Sequence, residues 1–182
     1  MACYLGIDTS NYTTSCAVYD DASDTIVQKK KLLPVKQGEL GLRQSDAVFH
    51  HTVQLPQLIN ELFSEFDGEI NAIGVSEVPV RQEGSYMPCF LPGVSAATAV
   101  ACVNKIDLYK YSHQQGHLMA ALYSAGKREL YGKEFLAFHV SGGTTQLLKV
   151  KGDLEANLIA SSLDLKAGQA VDRVGVMLGF QF

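Results

Sequence analysis

The stretch CYLGIDTSNYTTSCAVYDDASDTIVQKKKLL, residues 3–33, decides the fold. Cys3 to Asp8 is a short, mostly apolar run, and Thr13 to Tyr19 is rich in Thr, Val and Tyr. Thr25 to Leu33 resumes after an Asp-Asp-Ala-Ser-Asp turn. β-Branched and aromatic residues suit a pleated, half-buried surface, and Asp, Asn and Ser close turns through their own side chains. Three strands in this span, joined by short polar turns, predict an antiparallel meander.

Working outward, Leu55, Leu58, Ile59, Leu62, Phe63 and Phe66 recur at helical spacing, so a helix is predicted from about Leu42–Ser45 to Asp67-Gly68, with a kink or break expected at Pro56. Ile70 to Val75 reads as a buried strand. Ser76 to Pro92 has no period and holds Pro79, Gly84, Pro88 and Pro92, the mark of a functional or mobile loop. Gly93 to Asn104 is a helix of small residues, expected in the interior. Asp107 to Ser112 is a short strand or connector, and His113 to Ala125 is helical. Phe135 to Val140 and Thr145 to Val150 form a second hairpin around Ser-Gly-Gly-Thr, with a further strand at Asn157 to Ser162. Ala167 to Leu178 is a helix with Ala167, Ala170, Val171, Val174, Met177 and Leu178 on one side. The expected architecture is an α/β mixed sheet of about five strands with helices on its faces.

The 182 residues, 47% apolar and 19% charged, suffice for a real core and exclude a disordered tail. Fifteen basic against nineteen acidic residues leave a net charge of −4, which argues against a globally basic nucleic-acid coat; a local basic patch stays open. No apolar run approaches the length of a membrane-spanning helix, and the start lacks a basic n-region, so neither a membrane span nor a signal peptide is expected. Cys3, Cys16, Cys89 and Cys102 form no C-x-x-C pair; they read as buried free thiols suited to a reducing cytoplasm.

The sharpest chemical signal is His113-Gln-Gln-Gly-His117. Residues four apart share a helix face, so both imidazoles can reach one metal ion, iron, zinc or nickel, with a third ligand, expected to be a carboxylate, from elsewhere. The alternative is a pair of polar or half-buried histidines. Gln114 and Gln115 occupy the place of a metalloprotease general base, so hydrolysis by that route is not expected. Val140-Ser141-Gly142-Gly143-Thr144 can form an anion nest of backbone N–H groups, with φ > 0 tolerated at glycine, or be an ordinary hairpin turn. Asp8-Thr9-Ser10-Asn11 is a third polar turn, a phosphate site or a plain hairpin. Asp172, followed by Arg173, is a ligand hydroxyl contact or a surface ion pair. His50 and His51 are adjacent, point to different faces and are expected at the solvent or the boundary. Lys29-Lys30-Lys31 is expected to be solvated.

In order along the chain, Gly-Ile-Asp-Thr-Ser, His-Gln-Gln-Gly-His, Val-Ser-Gly-Gly-Thr-Thr-Gln, Ala-Gly-Gln-Ala-Val-Asp-Arg and Leu-Gly-Phe resemble the motifs of the tRNA threonylcarbamoyladenosine transferases, once called O-sialoglycoprotein endopeptidases or glycoproteases. That family belongs to the actin-like ATPase superfamily. The resemblance implies ribonuclease-H-like α/β lobes around a cleft and transfer of a threonylcarbamoyl group from its adenylate to N6 of the adenosine beside the tRNA anticodon. It implies His113 and His117 as ligands of an iron or zinc ion. It also implies that His139, Val140, Ser141, Gly142 and Gly143 hold the adenylate and that Asp172 contacts it. It places residues 1–105 in a first ribonuclease-H-like unit and residues 106–182 in the histidine helix, the hairpin and the start of a second unit.

The chain departs from the family pattern at several points. Asn11-Tyr12-Thr13 stands for an acidic Cys-Asp-Glu, Gln115 for a Glu and Thr144 for a His; Glu77-Val78-Pro79 stands where Gly-Pro-Gly is usual, and Lys166 falls in an acidic stretch. These mark a divergent paralogue. Phe182 precedes the family's second lobe and its aspartate ligand, so the expectation is a first lobe only, inactive alone and apt to self-associate through Val174, Met177, Leu178, Phe180 and Phe182. Two other readings compete: a non-catalytic actin-like partner of a sister subunit, and a sugar-kinase-like phosphotransferase.

Overall fold

The computed structural model describes residues 2–10, 12–34, 42–141 and 143–180. The chain divides into two compact units, residues 1–116 and 117–182. In the first, β1 (Cys3–Asp8), β2 (Thr13–Asp20) and β3 (Thr25–Leu32) form the expected antiparallel meander. β4 (Ile70–Val78) and β5 (Asp107–Ser112) run parallel to β1, giving the order β3-β2-β1-β4-β5. Register sets Leu5 opposite Val18 and Ile7 opposite Cys16. The two-residue period of a strand therefore gathers these four on one face, where they are buried with Ile73 and Val75.

Helix α1 (Gln44–Glu65) lies on that face through Ala47, His51, Gln54, Leu55, Leu58 and Leu62, a row at three- and four-residue steps. Pro56 does not break it; the residue sits on the exposed side of a continuous helix. Helix α2 (Leu91–Asn104) packs on the same core through Ala97 and Ala101, with Gly93 buried at its start. The expectation that α2 lies wholly inside is corrected: only this small-residue row is buried, and Leu91 and Val103 are exposed. Gly93 is required by close approach, since a Cβ there would stand 2.8 Å from Thr9 Oγ1. A satellite cluster of Leu33, Ala47, Cys89 and Phe90 closes the end of α1.

Helix α3 (His113–Ser124) begins in the first unit and continues in the second. The second unit holds an antiparallel sheet of β6 (Phe135–Val140), β7 (Thr145–Lys151) and β8 (Glu155–Ser161), in that order. Its core is Leu118 and Leu122 of α3 against Leu148, Val150 and Leu154, flanked by Phe135 and Ala137. The other face of β6 carries Leu136, Phe138 and Val140, all exposed. Helix α4 (Ala167–Met177) buries no residue; Val171, Val174, Met177 and Leu178 stand in solvent, as does Phe180, while Phe182 lies outside the described residues. No helix among the described residues is long and apolar enough to cross a membrane.

Candidate functional site

The parallel strands β1, β4 and β5 end at Asp8, Val78 and Ser112. In open α/β sheets, ligands collect outside such carboxyl ends. Asp8 is the hub there. One carboxylate oxygen accepts the Ser10 N–H at 2.8 Å; the other accepts the Ser76 hydroxyl at 2.5 Å and faces His113 Nδ1 at 2.8 Å. Burial by itself raises the Asp8 pKa, but the hydrogen bond and charge of His113, with Ser76 and Ser10, outweigh it and hold the carboxyl well below the usual carboxylate range. An ionised carboxylate only accepts, so His113 Nδ1–H is the donor. Both side chains keep partial access to solvent, 23% for Asp8 and 31% for His113.

The start of α3 is fixed by its own sequence. Ser112-His113-Gln114-Gln115 is a capping box: the Ser112 N–H donates to Gln115 Oε1 at 2.9 Å, and the Gln115 N–H donates to Ser112 Oγ at 3.2 Å. Gln115 Oε1 also faces Arg81 Nε at 3.4 Å, and Arg81 pairs with Glu77 at 3.0 Å and donates to the Lys110 carbonyl. Gln114 N–H donates to the Pro79 carbonyl at 3.0 Å. The long loop is thus pinned at its first residues. Gln115, which replaces an acidic residue of the family pattern, is a buried cap here. The S-x-x-Q signature was readable in the sequence.

Beneath the β1–β2 turn lies a second polar group that sequence reasoning placed wrongly. His51 is fully buried, not at the boundary. It is four residues before Leu55 and seven before Leu58, hence on the core face of α1, and stepping back along that face would have found it. The Thr14 hydroxyl donates to Gln54 Oε1 at 2.8 Å, so its oxygen accepts from His51 Nδ1–H, also at 2.8 Å. Burial lowers the His51 pKa. Thr14 continues the buried row of Cys16 and Val18, and that position explains why its hydroxyl needs partners. Asn11 lies outside the described residues.

Among the predicted site residues, His113 and His117 both fall in α3, four positions apart. His139 sits on β6, its ring centroid 6.2 Å from that of His117. Val140 and Ser141 lead into the second hairpin, where the Ser141 N–H donates to the Thr144 carbonyl at 2.8 Å. Gly142 lies outside the described residues. A Cβ at Gly143 would meet nothing within 4 Å among the described residues. The protein's own packing does not demand glycine at this position; the missing side chain leaves the turn open. Thr145 Oγ1 accepts the Ala167 N–H at 2.8 Å, so β7 caps the first turn of α4. Asp172 is exposed on α4 with no hydrogen bond or ion pair among the described residues.

The donor set fits a divalent transition ion in part. A carboxylate on Nδ1 of a histidine fixes the tautomer whose other nitrogen serves a metal, and Asp8 stands in that relation to His113. Among the described residues no three His, Cys, Asp or Glu side chains are placed to hold an ion by themselves.

Residues 25–182 match the family profile described as TsaD, tRNA N6-adenosine threonylcarbamoyltransferase. The tRNA N6-adenosine threonylcarbamoyltransferase of Thermotoga neapolitana is 31% identical over 183 residues, covering 98% of this chain and 53% of that protein. The one from Francisella philomiragia is 30% identical over 182 residues, covering 98% and 52%. The chain thus spans about half the length of the curated relatives it matches. Among solved structures, YeaZ from Pseudomonas aeruginosa aligns with a TM-score of 0.55 at 15% identity, covering 91% of this chain and 68% of that one. An inorganic polyphosphate/ATP-glucomannokinase from Arthrobacter sp. strain KM aligns at 0.53 and 11% identity, covering 96% and 72%. These likenesses bear on fold alone, and the fold is the α/β fold of the actin-like ATPases.

Proposed function

The chain belongs to the tRNA N6-adenosine threonylcarbamoyltransferase family, and from that premise we propose that it serves the transfer of a threonylcarbamoyl group from threonylcarbamoyl-adenylate to N6 of the adenosine beside the tRNA anticodon. The observation that carries this reading is the Asp8–His113 pair at the carboxyl ends of the parallel strands, an oriented imidazole at the head of the His-x-x-x-His helix. His113 and His117 would hold one iron or zinc ion, with a third ligand from outside this chain. Such an ion supplies Lewis-acid stabilisation of charge on a carbonyl or phosphoryl oxygen. Asp8 orients His113, and Ser76 and Ser10 hold Asp8 ionised for that task.

The β6–β7 turn, from His139 and Val140 through Ser141 to Gly143, would take the anionic part of the adenylate on backbone N–H groups, and Asp172 would contact the nucleotide. The open space at Gly143 supports this assignment. A tRNA acceptor, and free cysteines at positions 3, 16, 89 and 102, suit a cytoplasmic setting. A sister actin-like subunit is the partner of stated kind.

Calorimetric titration of AMP into the protein and into Gly143→Val tests the turn. The variant fills space now open, so its unfolding midpoint should hold while AMP binding weakens about tenfold or more, the loss of a well-placed anion contact. Equal binding by variant and parent would reduce the turn to a plain hairpin.

A further inference from the structure

His51 lies beneath the β1–β2 turn, and the reading above gives it no task. It is fully buried and ends a chain of hydrogen bonds that the Gln54 amide orients. Gln54 Nε2–H donates to the Leu32 carbonyl at 3.3 Å, which leaves Oε1 facing Thr14. The Thr14 hydroxyl gives its one proton to that oxygen, so His51 Nδ1–H donates to Thr14. A neutral imidazole carries a single N–H. Nε2 is therefore a bare acceptor, and among the described residues it has no hydrogen-bond partner. Buried polar atoms ordinarily find partners, and one that does not calls for a reason.

The group left to Nε2 is the Ser10 carbonyl, whose nearness favours a second proton on the ring. In the neutral ring two acceptors then stand against each other. The same carbonyl accepts the Thr13 N–H at 3.2 Å and closes the turn from β1 into β2, and a carbonyl oxygen has room for a second donor. Ser10 also donates its N–H to Asp8 at 2.8 Å. One residue thus joins this carbonyl to the carboxylate that faces His113.

We propose that His51 is a proton-operated latch on the β1–β2 turn: when the ring takes up its second proton, Nε2–H donates to the Ser10 carbonyl and fixes the turn, and when the ring is neutral that carbonyl is held by the Thr13 N–H. Asp8 on β1 favours the proton, and His50, the preceding residue of α1, opposes it. Thr14 of β2 and Gln54 of α1 are neutral. The Cys89 thiol, packed with Ala47 of α1, is pushed up to about 11 by burial and stays uncharged. Burial is the largest influence on the ring and lowers its pKa. The latch is accordingly open at neutral pH and closes as pH falls below the ordinary histidine range. It needs no bound metal or nucleotide, so it stands or falls apart from the transfer reading above.

Isotope-labelled protein titrated from about pH 8 to about pH 5 tests this by NMR, with circular dichroism at each pH to confirm the fold. At the alkaline end His51 Nε2 should show the shift of an unprotonated imidazole nitrogen. On acidification it should gain a proton, and the Ser10 carbonyl carbon and the Thr13 amide should shift with the same midpoint. Protection of the Thr13 N–H from exchange, corrected for the intrinsic rate, should rise about fivefold across that midpoint, the worth of one net hydrogen bond. Core amides such as that of Val18 should not gain. In His51→Gln the turn signals should lose this midpoint, while Thr14→Ser, which keeps the hydroxyl, should retain it. The titration of the parent decides even if a variant fails to fold. If its Ser10 and Thr13 signals stay fixed while the ring titrates, or if Nε2 already carries a proton at the alkaline end, the latch is overturned. A ring that never titrates while the fold persists overturns it too.

Discussion

The two sheets each have one face covered by helix and one face that is not, yet their open faces differ. In the first unit α1 and α2 lie over Leu5, Ile7, Cys16 and Val18. The reverse side presents Tyr4 stacked on Tyr19, with centroids 6.4 Å apart, together with Tyr109 and Tyr111. A tyrosine buries an apolar ring against its neighbour and keeps a hydroxyl in water. In the second unit the open side presents Leu136, Phe138 and Val140, which carry no polar tip, and α4 adds Val171, Val174 and Met177. A face of the first kind can stay in water; a face of the second kind is a place for association. Each unit leaves one buried imidazole nitrogen without a hydrogen-bond partner among the described residues, His51 Nε2 in the first and His139 Nδ1 in the second, while the first unit also pairs Asp8 and Thr14.

The comparison is tested hardest in the first core. Leu62 is completely buried against the sheet. Leu62→Ala should cost about 2–5 kcal/mol by the lost transfer energy and the cavity left behind, measured as a shift in the denaturant midpoint. A cost near zero would mean that this core is not the tight one.

Next comes the buried hydrogen-bond relay. Thr14→Val keeps the shape but removes the acceptor for His51 and the donor to Gln54. Stranding buried polar atoms should cost about 1–3 kcal/mol in the same denaturation assay.

A smaller effect is expected from pH. Burial lowers the His51 pKa from 6.5; the Asp8 charge and the Ser10 carbonyl oppose this and are outweighed. The unfolded chain therefore takes up a proton that the folded chain refuses, so this contribution is present above about pH 6.5 and lost as pH falls below it. Melting curves between pH 8 and pH 5 should show the loss, and His51→Gln should flatten it. An unchanged slope in that variant would assign the dependence elsewhere.

The smallest effect on folding should come from the open face of the second sheet. Phe138 is 75% exposed, and Phe138→Asp should alter stability by no more than about 0.5 kcal/mol, as surface changes do. Light scattering over a concentration series should instead show association in the parent that the variant reduces. A concentration-independent monomer mass in the parent would erase the contrast between the two faces.

Much of this was legible in residues 3–33, because strand period and turn chemistry are local: the meander follows from which segments suit a strand and which residues close turns, while its register and buried face are set in the folded sheet. The histidine helix was legible for the same reason, since i, i+4 spacing is a property of the helix alone. His51 and Gln115 were misread or passed over although both carried local signals, a core-face position in one case and a capping box in the other. α2 was placed too deep because small residues permit close approach on every side, while only the side bearing Gly93, Ala97 and Ala101 has something to approach.

By itself the sequence determined the α/β character, the order of elements, the histidine pair and the polar turns. These depend on periodicity and on residues near one another in the chain. Tertiary structure alone decided that Asp8 meets His113 and Ser76, that Thr14 bridges His51 and Gln54, and that His139 comes beside His117. Those pairs lie far apart along the chain and are joined only when parallel strands bring their carboxyl ends together, or when a helix is laid on a sheet. No local propensity encodes such a meeting; it is set by the packing that buries the core.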